Sequence, residues 1–446
     1  MFEIFLWATL VLCIGSAAVA YLQTRDCFHP LMVLTPILAV LYWFMPWKLS
    51  GDGSINSFLD SAQMDFVQTI NFCGCAALIA GCFAARGRRI RMGIITPSTR
   101  LLLLPQVRQA AYIIGATAFA MWSVTIFNVG GLSGAFGTAY GSGWSETGYL
   151  RDAILALLPA LLLLMPSFLL PNWSPGLKIA VVLFSFPLVL QGILGARRGP
   201  TFMIGATLFF ASYLYRGKRP AMLKMMLGGA LLSYLVLFLV TNRGKIYLGS
   251  TFDVSYSVSD ILASGSGGNE YIYGAGAILS AENTGHFYWG RRYLAQIAVR
   301  PVPRQWWPTK YADFGVPELE VNAGTGGVGL KDTLGWAGIV GAAPGVVSDF
   351  WLEFHWLEFP VLALIGWLYG RCWRKAVEFG GPWILQYIVL VSLSLYFVMQ
   401  TGEAVIFRLV ILSTPIWVSW RWVFRKAEAG IRLRNQQARL APAGSL

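Results

Sequence analysis

Charged residues are scarce in this chain of 446 residues, where they account for 12% of the sequence against 56% for hydrophobic residues. Soluble globular domains carry about 25% charged residues. The low share of charge therefore excludes a water-soluble globule, and the hydrophobic content is typical of a multi-span membrane protein.

Histidine and cysteine are also few. The chain has three histidines, His29, His286 and His355, and no HExxH spacing, which argues against a catalytic zinc site. All six cysteines fall within predicted spans or on the predicted cytoplasmic side, and Cys73 and Cys75 face different directions on a helix. We therefore expect no structural metal, no cofactor and no disulfide in the external part of the chain.

Hydrophobic segments predict an all-α polytopic membrane protein with about eleven spans (10–12). The predicted spans are 2–22, 31–47, 66–84, 109–128, 152–170, 178–195, 200–215, 222–241, 344–370, 382–400 and 403–423. The chain then divides into spans 1–8 (1–241), a large loop (242–343), spans 9–11 (344–423) and a basic tail (424–446).

Basic residues are concentrated in connectors that fall on one face of this topology, at 86–108, 216–224, 371–375 and the tail after 421. Because cytoplasmic loops carry an excess of Lys and Arg, that face is predicted to be cytoplasmic and the large loop external. The formal net charge of +13 then anchors the chain to the inner leaflet, and nucleic-acid binding is not expected.

The large loop is long enough to carry function. It contains a predicted helix around 271–279 and the glycine-rich piece Gly324-Thr325-Gly326-Gly327-Val328-Gly329. The glycine-rich piece matches GxGxxG in letters but lacks the flanking strand and helix of a dinucleotide site, so we interpret it as a flexible loop or lid.

Several cations lie on the external side or near the outer ends of spans: Arg197, Arg198, Arg243, Lys245, Arg291, Arg292, Arg300, Arg304, Lys310 and Arg408. Arginine forks match phosphate oxygens, so this set predicts a pyrophosphate site. The alternative is that each cation pairs with an external acid or lies in solvent. Within a span, Arg408 costs about 3 kcal/mol and should face a polar cavity or an acid such as Glu403.

Aromatic residues alternate with bases in the tracts 285–293 and 300–310. Rings such as those of Tyr293 and Trp307 can stack on sugars while the bases hold phosphates. The same rings also anchor segments at the membrane interface, and this second interpretation stays open.

The tract Arg300-Pro301-Val302-Pro303-Arg304-Gln305-Trp306-Trp307-Pro308-Thr309-Lys310 resembles a motif of the bacterial O-antigen or oligosaccharide repeat-unit polymerases, the Wzy type. Further stretches are similar in order to elements of that family: Arg197-Arg198-Gly199, Asn242-Arg243-Gly244, Asn269-Glu270-Tyr271, Gly290 with Tyr293, and Ala343-Pro344 followed by Asp349 and Glu353. The resemblance covers roughly 190–370.

The resemblance implies a GT-C-like integral-membrane glycosyltransferase in the bacterial inner membrane, with an external cavity capped by the loop. Its donor and acceptor would be undecaprenyl-pyrophosphate-linked glycans, and a chain-length regulator and a flippase are expected partners. Arginines would stabilise the departing pyrophosphate. The candidate general bases are Glu270, Asp349 and His286. The alternative functions are a ligase that shares this donor and a flippase or exporter of lipid-linked glycan.

Overall fold

The structure is a computed structural model that describes residues 1–85, 96–138, 152, 154–169, 174–194, 198–242, 244–251, 254, 269–302, 306–317, 319, 333–335 and 343–440. At 97, 168–169, 198, 240, 269 and 424–440 only the backbone is described. The described parts of the chain are helical or irregular, and no strand occurs in them.

The main helices are α1 (Phe2–Thr24), α2 (Leu31–Gly51), α3 (Ser61–Ala84), α4 (Pro105–Asn128), α5 (Leu157–Leu164), α6 (Pro175–Ile193), α7 (Arg198–Leu214), α8 (Met222–Thr241), α9 (Asn269–Thr284), α10 (Gly345–Phe354), α11 (Glu358–Glu378), α12 (Pro382–Met399) and α13 (Gly402–Leu440). Shorter helical pieces are Pro97–Leu101, Gly131–Phe136, Arg291–Leu294 and Lys310–Asp313, with a π-helical turn at Ala295–Val299. The helix predicted around 271–279 is confirmed as α9.

Eight helices in the described ranges are long and apolar enough to cross a membrane: α1, α2, α3, α4, α6, most of α8, α12 and the first part of α13. They coincide with eight of the predicted spans, so the chain is a multi-pass α-helical membrane protein. Shorter apolar helices at Ile154–Ser167 and Gly199–Leu214 occupy two more predicted positions. The count of eleven stays a prediction.

The predicted span 344–370 is not one helix. The structure divides it into α10 and α11, joined by a 3-10 turn at His355–Leu357, because His355 adopts a left-handed φ of 51°. Hydropathy cannot detect this break, since the aromatic and apolar character continues across it. At ten residues, α10 is about 15 Å long and too short to cross a bilayer.

Local sequence signals explain where several spans begin. Asp60 and Gln63 form a reciprocal capping box at the start of α3, and Ser174 caps α6 one residue before Pro175. Pro382 likewise occupies the first turn of α12, where its missing N–H costs nothing. These signals fix the first turns of α3, α6 and α12.

Small residues set the tight packing of α3 against α11. A Cβ added to Gly366 would lie 2.0 Å from the Leu78 carbonyl oxygen, and one added to Gly81 would lie 1.9 Å from the Ala363 carbonyl oxygen. Backbones can approach this closely only where side chains are absent, which is the usual device of helix pairs in membranes. Both helices of this pair also contact α10.

The connectors that the sequence places on one face meet at one end of the bundle. Buried Asp26 accepts hydrogen bonds from Arg219 Nε (2.6 Å) and Trp373 Nε1 (3.0 Å), and Arg374 Nη1 donates to the Ala85 carbonyl (3.0 Å). We call this the basic end. The opposite end, to which the 242–343 loop is attached, is called the loop end. Which end faces the cytoplasm stays a prediction.

Candidate active site

A buried arginine, Arg292, lies among three carboxylates at the loop end. Its Nη2 binds Asp349 Oδ1, and its Nε lies 2.5 Å from Glu403 Oε1 and 3.2 Å from Glu353 Oε1. All four side chains are at most 2% exposed. We call these four residues the Arg292 cluster.

Three separate segments supply the cluster. Arg292 comes from the short helix Arg291–Leu294 in the large loop, and Glu403 from the first turn of α13. Asp349 and Glu353 are four residues apart on α10 and therefore share one of its faces. The cluster ties the loop to α10 and to the last span.

Hydrogen bonds from neighbouring residues fix the carboxylates. Asp349 Oδ2 accepts from the Tyr293 hydroxyl and from the Gly402 N–H, both at 2.6 Å. Glu353 Oε2 accepts from the Gly290 N–H at 2.7 Å. Position 402 requires glycine because a Cβ there would lie 2.8 Å from the Tyr293 ring. Both oxygens of Asp349 are thus occupied.

The cluster has three carboxylates and one guanidinium, so its charges do not balance. Burial raises the pKa of Glu353 to about 8, an effect that Arg292 opposes and Asp349 reinforces. This shift favours the protonated form of Glu353, in which one of the excess negative charges is absent. Arg292 stays charged, because the three carboxylates outweigh the effect of its burial and raise its pKa.

A second arginine, Arg300, is connected to the cluster and is 23% exposed. It donates to Asp152 Oδ2 at 2.9 Å and to Gln296 Oε1 at 3.0 Å, and Gln296 Nε2 lies 3.4 Å from Glu403 Oε2. Its guanidinium carbon also lies 3.8 Å from the centre of the Phe407 ring. These contacts hold Arg300 in one orientation at the start of α13.

Arg408 follows Phe407 and lies 4.2 Å from the centre of the Tyr396 ring. Its Nη1 donates to the Ala404 carbonyl at 2.7 Å. Glu403 is bound by Arg292 and no ion pair joins it to Arg408 among the described residues, so the alternative, that Arg408 faces a polar cavity, stays a prediction. Arg408 is half-buried, and its Nε has no hydrogen-bond partner among the residues that the structure describes.

The first turn of α7 reaches the Tyr396 ring through Gly199. A Cβ on Gly199 would lie 1.9 Å from the Tyr396 ring, the ring on which Arg408 stacks. The start of α7 is therefore adjacent to Arg408. The side chain of Arg198 and the whole of Arg197, Arg243 and Arg304 lie outside the described residues.

Three predicted substrate-binding residues have structural contacts. Lys310 is buried and its Nζ donates to the carbonyls of Val299, Arg300 and Val302 at 3.2, 3.1 and 2.6 Å, so it closes the turn after the π-helix rather than facing a ligand. Tyr293 is buried against Asp349. Trp307 donates to Asp313 Oδ2 at 2.6 Å near the surface.

The three candidate bases lie in different surroundings. Asp349 is buried with both oxygens bound, as described above. Glu270 is half-buried in the first turn of α9, and it is not among the acids that contact Arg292. His286 is exposed, and its ring meets the edge of Tyr288 at 4.9 Å. The Tyr288 ring in turn lies 5.2 Å from the Arg292 guanidinium carbon.

No sequence pattern distinguishes Arg292 from the other external cations. A signal is present in Gly290 and Tyr293, since these motif residues flank it and bind Glu353 and Asp349. Glu353 and Glu403, which are not among the three candidate bases, are partners of Arg292.

Metal binding finds no support in the described part of the chain, where no group of three or more His, Cys, Asp and Glu side chains has the geometry to hold an ion. The cation that the three carboxylates share is Arg292.

No known protein family, curated protein or solved structure gives a significant match to this chain.

Proposed function

We propose that this chain is a polysaccharide polymerase that joins undecaprenyl-pyrophosphate-linked oligosaccharide repeat units on the external side of the inner membrane. The product would be an O-antigen, capsule or exopolysaccharide chain. The proposal combines the motif resemblance with one structural observation, which is the convergence of separate arginine segments at the start of α13.

That convergence brings together residues far apart in sequence. Arg300 stacks on Phe407, Arg408 is the next residue, and Gly199 of the Arg197-Arg198 turn packs on the ring that Arg408 contacts. Arg300 therefore contacts a residue of α13 that is adjacent in sequence to Arg408, and two guanidinium groups that reached one ligand would match the charge and geometry of a pyrophosphate. A lipid-linked donor would reach them at a span end, where its pyrophosphate lies at the membrane boundary.

The reaction needs this charge because the pyrophosphate is the leaving group. The acceptor hydroxyl oxygen forms a bond to the anomeric carbon of the donor while the bond from that carbon to the pyrophosphate oxygen breaks. Negative charge grows on the departing lipid pyrophosphate, and arginines already held in place stabilise it without reorganising. The Arg292 cluster fixes Glu403, and through Gln296 it orients Arg300.

The proton of the acceptor hydroxyl passes to a carboxylate or an imidazole. Asp349 does not suit this role, since it is buried and both its oxygens accept hydrogen bonds. We therefore assign the base to Glu270 or His286, which are half-buried and exposed. Comparing Glu270→Gln with His286→Asn in the assay below identifies it, because only loss of the true base abolishes chain growth at normal protein level.

The decisive experiment uses purified protein in detergent with a synthetic lipid-pyrophosphate-linked repeat unit as donor and acceptor. We expect oligomers from the wild type, with rates lowered by about 10²–10³ in Arg300→Gln and Arg408→Gln. The matched control is Arg291→Gln, an exposed arginine in the same loop. Equal rates of oligomer formation in all three variants would contradict the proposed arginine site.

The same variants in cells lacking the gene separate the alternatives. A polymerase defect collapses the surface-glycan ladder to a single-repeat band. Complete loss of glycan attachment indicates a ligase instead. Activity in detergent, where there is no bilayer to cross, excludes a flippase or exporter as the explanation of an altered ladder.

A further inference from the structure

An open groove of about 490 Å³ lies along α12 and α13 near the basic end. Its wall includes Gln386, Ser413, Trp417 and Arg421, together with the exposed apolar side chains of Val410 and Val418. The groove extends along α13 from Leu409 and Val410, directly after Arg408, to Arg421 near the basic end. Its inner end therefore adjoins the proposed arginine site, whereas Arg421 lies away from it.

The groove has a polar wall inside two apolar spans. Gln386 Nε2 donates to Ser413 Oγ at 2.9 Å, and Trp417 Nε1 donates to Gln386 Oε1 at 2.9 Å. Polar side chains on a lipid-facing surface are costly, and those that persist face a partner or a polar ligand. These hydrogen bonds also hold the Trp417 indole at a fixed angle beside Arg421.

Arg421 lines the groove and is exposed, whereas Lys375 lies outside its lining and is linked to it through Trp383 and Trp417. Lys375 Nζ lies 4.0 Å from the centre of the Trp383 ring, and that ring meets Trp417 edge-on at 5.0 Å. The nearby acid Glu378 is bound by Arg374 at 2.9 Å, so it does not neutralise Lys375.

The depth of these residues matches a phospholipid. In the sequence, the apolar run of α13 is followed by Arg421, Arg425 and Lys426, which predicts that Arg421 lies at headgroup level. Val410 lies eleven positions earlier, about 16 Å deeper along the helix. A phosphate at Arg421 would therefore leave an acyl chain lying along the apolar wall.

We propose that this groove binds an anionic phospholipid, with the phosphate held by Arg421 and Lys375 and an acyl chain against Val410 and Val418. Basic pockets between spans attract anionic headgroups, and tryptophan is enriched at the same level. A second copy of the chain is a poorer occupant, because a two-fold interface through this groove would place like cations opposite each other.

The test measures lipid retention by native mass spectrometry after the protein is extracted from nanodiscs of phosphatidylglycerol and phosphatidylcholine. We expect selective retention of phosphatidylglycerol by the wild type, and a decrease of about fivefold in Arg421→Gln and again in Lys375→Gln. The matched controls are Arg216→Gln and Lys178→Gln, which are exposed at the same end but outside the groove.

A second variant, Val410→Trp, fills the apolar wall without changing charge and should reduce retention of the same lipid. Retention that is equal in Arg421→Gln and Arg216→Gln overturns the proposal. A lipid-free dimer that dissociates in Arg421→Gln also overturns it, in favour of a protein interface. Because Arg421 lies thirteen positions beyond Arg408 on α13, about 20 Å along the helix, loss of lipid in Arg421→Gln with normal polymerisation leaves the proposed function unaffected.

Discussion

Replacing Arg292 with glutamine removes the cation that contacts three buried carboxylates. Asp349 would keep its hydrogen bonds from Tyr293 and Gly402, and Glu353 would keep that from Gly290. Glu403 would keep only the 3.4 Å contact with Gln296. Breaking a buried ion pair from one side costs about 3–5 kcal/mol, so Arg292→Gln should lower the free energy of unfolding by that amount.

Unfolding can be followed with a thiol-reactive dye, because Cys13, Cys75, Cys82 and Cys372 are free and buried in the folded protein. Reversible unfolding in mixed micelles gives the free energy, and thermal unfolding gives the midpoint. The matched control is Arg291→Gln, the adjacent exposed arginine, whose effect should stay within about 0.5 kcal/mol.

Two further measurements identify charge as the cause. Lowering the pH should reduce the deficit of Arg292→Gln, because the orphaned carboxylates take up protons. Adding Glu403→Gln to Arg292→Gln should recover part of the lost stability, since it removes the carboxylate that is left with the fewest hydrogen bonds. Equal free energies of unfolding for Arg292→Gln and Arg291→Gln would contradict a role for the Arg292 charge. So would additive effects of Arg292→Gln and Glu403→Gln on that free energy.

Three other outcomes are expected from the same unfolding assay. The pKa of Glu353 is raised from 4.5 to about 8 in the folded protein, so the folded state binds this proton more tightly than the unfolded state does. The free energy of unfolding of the wild type should therefore fall as the pH rises from about 4.5 to about 8, by about 5 kcal/mol at most. Glu353→Gln should not show this decrease. Glu358 is buried with no hydrogen-bond partner for either oxygen within the described ranges, so Glu358→Leu should stabilise the protein by about 1–3 kcal/mol, and destabilisation would reveal a hidden partner. Gly402→Ala should cost about 1–3 kcal/mol, because its Cβ displaces Tyr293, whereas Gly229→Ala, which meets nothing within 4 Å, should be neutral or stabilising.

The amino-acid sequence alone is enough to predict a multi-pass α-helical membrane protein. A predominantly apolar segment of about twenty residues can satisfy its backbone hydrogen bonds in a bilayer only as a helix. The sequence also predicted α9 and the grouping of the basic connectors, which meet through Asp26, Arg219 and Trp373. These features depend on local composition and on simple alternation of the chain across a membrane.

The pairing of the buried charges, in contrast, follows from the tertiary structure. Arg292 meets Asp349 and Glu403 across 57 and 111 positions of sequence, a choice that no local pattern encodes. The break at His355 and the burial of Lys310 were equally invisible, since hydropathy averages over a window and does not record backbone angles or contacts. Charge placement depends on which helices pack together, because a buried charge persists only where a distant segment supplies its partner.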